Sequence, residues 1–148
     1  MWPKKPQEMP RIKAVMTPFP YSIELWDPLE KAQEMMTNHQ IHHLPVMAEG
    51  VPVGVITHRD LRRTMDHGTG TAGEPLTVED VPCEGAYVVD LSEPLDRVLL
   101  YMAKERLGAA LVVKDGRLAG IFTLTDACQC FAEHLLQQFP PSGGTEAA

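Results

Sequence analysis

The chain has 148 residues and carries 13 Lys and Arg against 20 Asp and Glu, a net charge of −7. That length suits one domain or two small halves sharing a core, and the acidic balance argues against nucleic acid as the main partner. At 44% hydrophobic and 22% charged residues the composition is that of an ordinary soluble protein, and no run of about 18 apolar residues suggests a membrane span.

Residues 1–11, rich in Pro and Lys, read as a flexible arm without the apolar stretch of a signal peptide. Pro18 and Pro20 keep their predecessors out of the helical region. Tyr21 to Ile23 reads as a short strand, and Asp27-Pro28-Leu29-Glu30 as a helix start with Asp27 as cap. Leu29, Ala32, Met35 and Met36 follow at helical spacing. Leu44 to Met47 and Val51 to Ile56 read as two strands joined by a turn at Glu49-Gly50, and a second helix opens at Thr57. Residues 66–80 are rich in Gly and Thr and read as a linker. The same order then restarts, and the last helix stops before Pro140-Pro141. Residues 139–148 are expected to be a disordered tail.

The restart is in register. Gly54-Val55-Ile56-Thr57-His58-Arg59-Asp60 is echoed by Gly120-Ile121-Phe122-Thr123-Leu124-Thr125-Asp126, an offset of 66 residues. The same offset carries Val15 to Val81, Ile23 to Val89, Pro28 to Pro94, Met36 to Met102 and Val46 to Val112. This is an internal duplication, with repeats at 12–65 and 81–138. In each copy a buried strand runs into Thr-x-x-Asp, which reads as a helix cap. A helix N-terminus offers backbone N–H groups and a positive dipole end to an anion. The Thr hydroxyl can donate to that anion, and the Asp can accept from sugar hydroxyls. A capping box without ligand is the plain reading of one copy; two copies after the same strand favour a site.

With these motifs, and with Leu44-Pro45-Val46 and Ala110-Leu111-Val112 before them, the chain resembles a tandem pair of cystathionine β-synthase (CBS) domains over about residues 12–136. The resemblance implies an α/β (α+β) fold of two pseudo-symmetric β-α-β-β-α repeats packed sheet to sheet, leaving two clefts. It also implies a regulatory module without catalysis of its own, sensing AMP, ADP, ATP, S-adenosylmethionine or NAD and signalling to a separate protein. No other cofactor is required, and a homodimer is expected. The family's clefts are crossed between repeats. Carried over, Thr57, His58, Arg59 and Asp60 would face Ala86, Tyr87, Gly108 and Ala109. Thr123, Thr125 and Asp126 would face Thr17, Tyr21, Ile41, His42 and His43. Arg59 would supply a permanent charge for phosphate, and Thr125 leaves the second cleft without its equivalent. Cys83 stands where a Thr is expected, and Tyr21 is bulky where a base must fit.

Other motifs lead nowhere. Gly68-Thr69-Gly70-Thr71-Ala72-Gly73 has dinucleotide-loop spacing but follows a helix and runs into Pro75. His58-Arg59-Asp60-Leu61 matches a kinase string, but Met65 stands where Asn is needed. His39, His42 and His43 lack a third ligand at motif spacing, so no metal is expected. Cys83, Cys128 and Cys130 are odd in number and fit a reducing cytoplasm. The competing expectation is a structural, dimerising module with degenerate clefts. A small enzyme has no nucleophile and base at recognisable spacing to support it.

Overall fold

Pro28 and Pro94 hold the N-cap positions of two 11-residue helices. Each is extended, with ψ near 151° and 135°, and each presets the chain for the first helical turn. The helices end at Gln40 and Arg106, whose φ of 53° and 56° is left-handed and stops the coil. Asp27 does not cap the first helix as its sequence suggests. Its carboxylate accepts from the Glu24 amide and from Lys31, each at 3.0 Å. Burial works against its charge, but these donors outweigh burial and hold the carboxyl below the usual range.

The computed structural model describes residues 7–68 and 74–143. The first residues of the arm, the centre of the linker with most of its glycine motif, and the end of the tail lie outside them. In chain order the elements are β1 (Thr17–Pro18), β2 (Ile23–Glu24), α1 (Leu29–His39), β3 (His43–Ala48), β4 (Val51–Thr57) and α2 (His58–His67). The second half brings β5 (Glu84–Gly85), β6 (Val88–Asp90), α3 (Leu95–Glu105), β7 (Ala109–Lys114), β8 (Arg117–Thr123) and α4 (Leu124–Gln138). Short 3₁₀ turns at Ile12–Ala14 and Val78–Asp80 precede β1 and β5. The expected strand at Tyr21 begins only at Ile23, and α2 runs on to His67.

The hairpins β3–β4 and β7–β8 are antiparallel and match residue for residue. His43 lies opposite Thr57 and Ala109 opposite Thr123, with a bulge after Val46 and after Val112. Glu49-Gly50 and Asp115-Gly116 turn with positive φ at both residues, the hairpin geometry whose twist matches the strands. β2 and β6 add in parallel to β3 and β7.

The opening strands change sides. β1 pairs with β8, and β5 pairs with β4, giving sheets ordered β1-β8-β7-β6 and β2-β3-β4-β5. The glycine of each motif faces a visiting strand. Gly54 lies opposite Gly85, and Gly120 opposite Pro18. A Cβ on Gly120 would stand 3.1 Å from the Thr17 carbonyl and run into Met16. Gly120 makes room for the visiting strand.

The cores follow the exchange. One holds Ile23, Leu29, Met36, Leu44, Val46, Ile56 and Leu61 together with Val78 and Val81 from the second half. The other holds Val89, Leu95, Val98, Met102, Val112 and Phe122 together with Ile12 from the first. The two cores divide their volume differently. Ile56 and Leu61 fill the first where the 66-residue offset places Phe122 and Ala127 in the second. A large and a small side chain replace two of middle size. Leu61, an apolar residue of α2 that the sequence offers to a dimer interface, is instead fully buried, and Met65 packs against the same core. No helix among the described residues is long and apolar enough to cross a membrane.

Candidate functional site

Both Thr-x-x-Asp motifs form at their helix starts. The Thr57 hydroxyl donates to an Asp60 carboxylate oxygen at 2.9 Å and accepts from the Asp60 amide at 3.1 Å. In the second copy the same Asp126 oxygen also accepts from the Thr123 amide at 2.8 Å, which completes a capping box. Asp126 is thus more fully occupied by its own helix than Asp60 is.

These bonds limit what the α2 N-terminus can offer an anion. The Thr57 proton points to Asp60. The His58 amide donates to the His42 carbonyl at 2.9 Å, and the Asp60 amide is taken by Thr57. Of the first three amides only that of Arg59 is left. A cation elsewhere must carry most of any phosphate charge.

A cleft of about 190 Å³ opens beside Asp60. It is lined by Thr57 and Asp60 from the first motif, by Val55 of β4, by Gly85 and Tyr87, by Arg106, Leu107, Gly108 and Ala109 ahead of and within β7, and by His43. The crossed arrangement brings Thr57, Asp60, Tyr87, Gly108 and Ala109 together. Ala86 lies beside them in an adjoining groove with Tyr87, Tyr101 and Glu105. His58 turns edge-on to His42, with ring centroids 5.9 Å apart. Arg59 is exposed and lines neither cleft. Arg59 immediately precedes Asp60 on the helix, and consecutive helical residues diverge by about 100° around the axis. Arg106, left-handed at the end of α3, lines this cleft.

Tyr87 packs against Tyr101 with centroids 4.4 Å apart. Burial, with Glu93 and Tyr101 behind it, pushes the Tyr87 phenol up, so it stays a neutral donor. Cys83 keeps its proton as well, because desolvation and the nearby Asp60 raise its thiol.

The mirror cleft is about 310 Å³ and has a different character. Thr17, Tyr21, Ile41 and His43 line it with Phe19, Ile121 and three prolines, while His42, Thr123, Thr125 and Asp126 do not. The cause is visible at two positions. Gly108 and Ala109 leave the first cleft open onto Asp60, whereas their counterparts in the first repeat are His42 and His43. Tyr21 lines this cleft and stacks on His39 at 3.6 Å between centroids and 11° between planes. Phe19, where the first cleft has Gly85, sits at its lip with φ of 49° and a side chain 91% exposed.

Val55, Gly85, Arg106 and Leu107 were not among the expected residues, and His43 was expected only in the second cleft. Leu107 could have been found by carrying Ile41 forward by the repeat offset. Among the described residues no group of three or more His, Cys, Asp or Glu could hold a metal ion.

Two stretches, residues 12–67 and 78–133, match the family model described as CBS domain. The chain is 29% identical over 117 residues to hypoxic response protein 1 of Mycobacterium tuberculosis, covering 75% of this chain and 78% of that one. It is 28% identical over 131 residues to L-aspartate semialdehyde sulfurtransferase of Methanocaldococcus jannaschii, covering 86% of this chain but only 25% of that protein. Its fold superposes with a TM-score of 0.73 and 25% identity on the CBS domain pair of protein MJ0100, solved in complex with 5′-methylthioadenosine and S-adenosyl-L-methionine, covering 86% of this chain and 99% of that one. The two matched stretches, the paired half-sheets and the crossed clefts agree, and the chain belongs to the CBS domain family.

Proposed function

We propose that this chain is a regulatory module that binds an adenosine-containing ligand in the cleft at Asp60 and signals its presence to a separate, unidentified protein of the cytoplasm. The observation that carries this reading is the asymmetry of the clefts: only the first opens onto its motif carboxylate. Asp60 would accept from ribose hydroxyls. Val55, Leu107 and Tyr87 would flank the base, and the small Gly108 and Ala109 allow close approach. Arg106 would be the phosphate partner in place of Arg59. The similar MJ0100 pair, solved with two adenosine compounds, supports the ligand class.

The test is a thermal-shift panel of AMP, ADP, ATP, S-adenosylmethionine, NAD and adenosine, with GMP as control. A ligand at a hundred times its Kd stabilises the folded state by about 2.7 kcal/mol. At roughly 2–4 °C per kcal/mol for a chain of this size, the expected shift is roughly 5–10 °C. A flat response to every adenosine compound would sink the reading and leave a structural module.

The assembly we propose is a homodimer through α4. That helix buries none of its own residues, and Phe131, Leu136 and Phe139 are 63%, 59% and 62% exposed. Apolar surface of this kind is commonly covered by a second copy in a two-fold contact. Light scattering should give twice 16.4 kDa, and Phe131→Glu should shift it toward one. A single-chain mass at high concentration counts against the dimer.

A further inference from the structure

His43 is a wall of both clefts. It opens β3 opposite Thr57, and its Nε2 lies 3.3 Å from the point where a Cβ on Gly108 would stand. At the equivalent position of the other repeat is Ala109, so no second side chain balances it. Its ring is half-buried between sites of different chemistry. Across the first cleft stand Asp60, Arg106 and the Tyr87 phenol; across the second stands Tyr21. His42 adjoins it in the chain, and the Asp126 carboxylate acts on it from α4.

We propose that His43 makes anion binding in the first cleft proton-linked, taking a proton from solvent when a phosphate-bearing ligand enters and releasing it when the ligand leaves. The inference rests on the reading of that cleft as an adenosine-ligand site. Its physical basis is the balance of charges around the ring. Burial and then His42 hold the free imidazole below its ordinary value, and Asp126 pulls the other way. A phosphate entering the cleft that His43 and Arg106 both line reverses that balance, because its negative charge favours a charged imidazole. Asp126, already held by its helix, remains on the far side as a counter-charge. This gives Asp126 a role other than the ribose contact that its motif suggests.

The sign follows from linkage. The ligand raises the pKa of His43, so affinity increases as pH falls through the value in the complex. It levels off below the value in the free protein, where the proton is already present. Each unit between the two values is a factor of about ten in affinity.

AMP is titrated calorimetrically into the unsubstituted protein and into His43→Gln at pH 5.5, 6.5 and 8, in pairs of buffers with different ionisation heats. The phosphate of AMP has its own pKa near about 6, by analogy with phosphorylated side chains, so the readout is the difference between the two proteins. The unsubstituted protein should take up protons that the variant does not. Its affinity relative to the variant should rise several-fold to about tenfold from pH 8 to pH 5.5. Adenosine, which lacks the phosphate, should show no such rise. Should His43→Gln fold poorly, NMR titration of the imidazoles of the unsubstituted protein gives the same answer: the ring nearest the ligand should move up in pKa with AMP. Equal proton uptake in both proteins, or an equal rise with adenosine, overturns the inference while leaving the cleft as a ligand site. Absence of AMP binding at every pH overturns the inference, and only a thermal-shift panel flat for every adenosine compound overturns the cleft's reading as well.

Discussion

Replacing Phe122 by Ala should destabilise the protein by about 3–5 kcal/mol, the range for a large aromatic removed from a packed core. Phe122 is wholly buried on β8, in one core with Ile12, Val98, Met102 and Val112. Its loss cannot be absorbed by the helix above it, because α4 presents only Ala127 where α2 presents Leu61 to the other core. A second small residue at 122 would leave adjoining space with no side chain able to turn into it. The expected fall in melting temperature is roughly 6–20 °C at roughly 2–4 °C per kcal/mol. Ile56→Ala should cost less, because its core retains Leu61. Thermal or urea unfolding by circular dichroism measures both. A loss under about 1 kcal/mol for Phe122→Ala would mean that this core is not close-packed.

Asp60→Ala should weaken adenosine-ligand binding ten- to a hundredfold, and Asp126→Ala should leave it nearly unchanged at neutral pH. Hydrogen bonds to a charged group contribute about 1.5–3 kcal/mol each, part of which water restores in the variant. Asp60 lines the open cleft, and Asp126 lines neither. The two variants should part company again in stability. Asp126→Ala breaks a complete capping box, in which Asp126 accepts from the Thr123 amide and hydroxyl, and should cost about 1 kcal/mol. Asp60→Ala removes a single hydroxyl contact and should cost less. Calorimetric titration of AMP together with unfolding separates the two effects. Equal loss of affinity in both, or loss in Asp126→Ala alone, would place the ligand on the other side of the pseudo-symmetry.

The duplication was legible because its signals are local and repeated. The prolines before two amphipathic helices, the Glu-Gly and Asp-Gly turns and the two Thr-x-x-Asp starts each act within a few residues, and the offset confirms each against its counterpart. The exchange of opening strands was not legible in the residues themselves. β1 and β5 are two residues long, too short for any alternation to show. The site was half legible. Asp60 and Gly108 belong to motifs and line the cleft, whereas Arg59, carried over from the family resemblance, is its helical neighbour and does not line it. Arg106 was missed because what points it into the cleft is a left-handed turn after a helix, at a residue type that does not announce one. His43 was assigned to one cleft because a crossed-site rule allots each residue once, whereas a side chain near the pseudo-twofold axis can face both.

The crossing of β1 and β5 has a consequence for how the chain must be made. A fragment ending at Gly68 would carry Ile12 with nothing to bury it and would lack Val78 and Val81, which close its own core. A fragment beginning at Glu74 would have the opposite deficit. The sequence repeat is therefore not a self-sufficient cooperative unit. The exchanged strands pair Thr17 with Ile121 and Gly54 with Gly85, the kind of non-local closure that slows folding. Conversely, a cut between Gly68 and Glu74 made after folding would leave every strand pair of the described residues in place, and the two pieces would stay clasped by the strands they have exchanged.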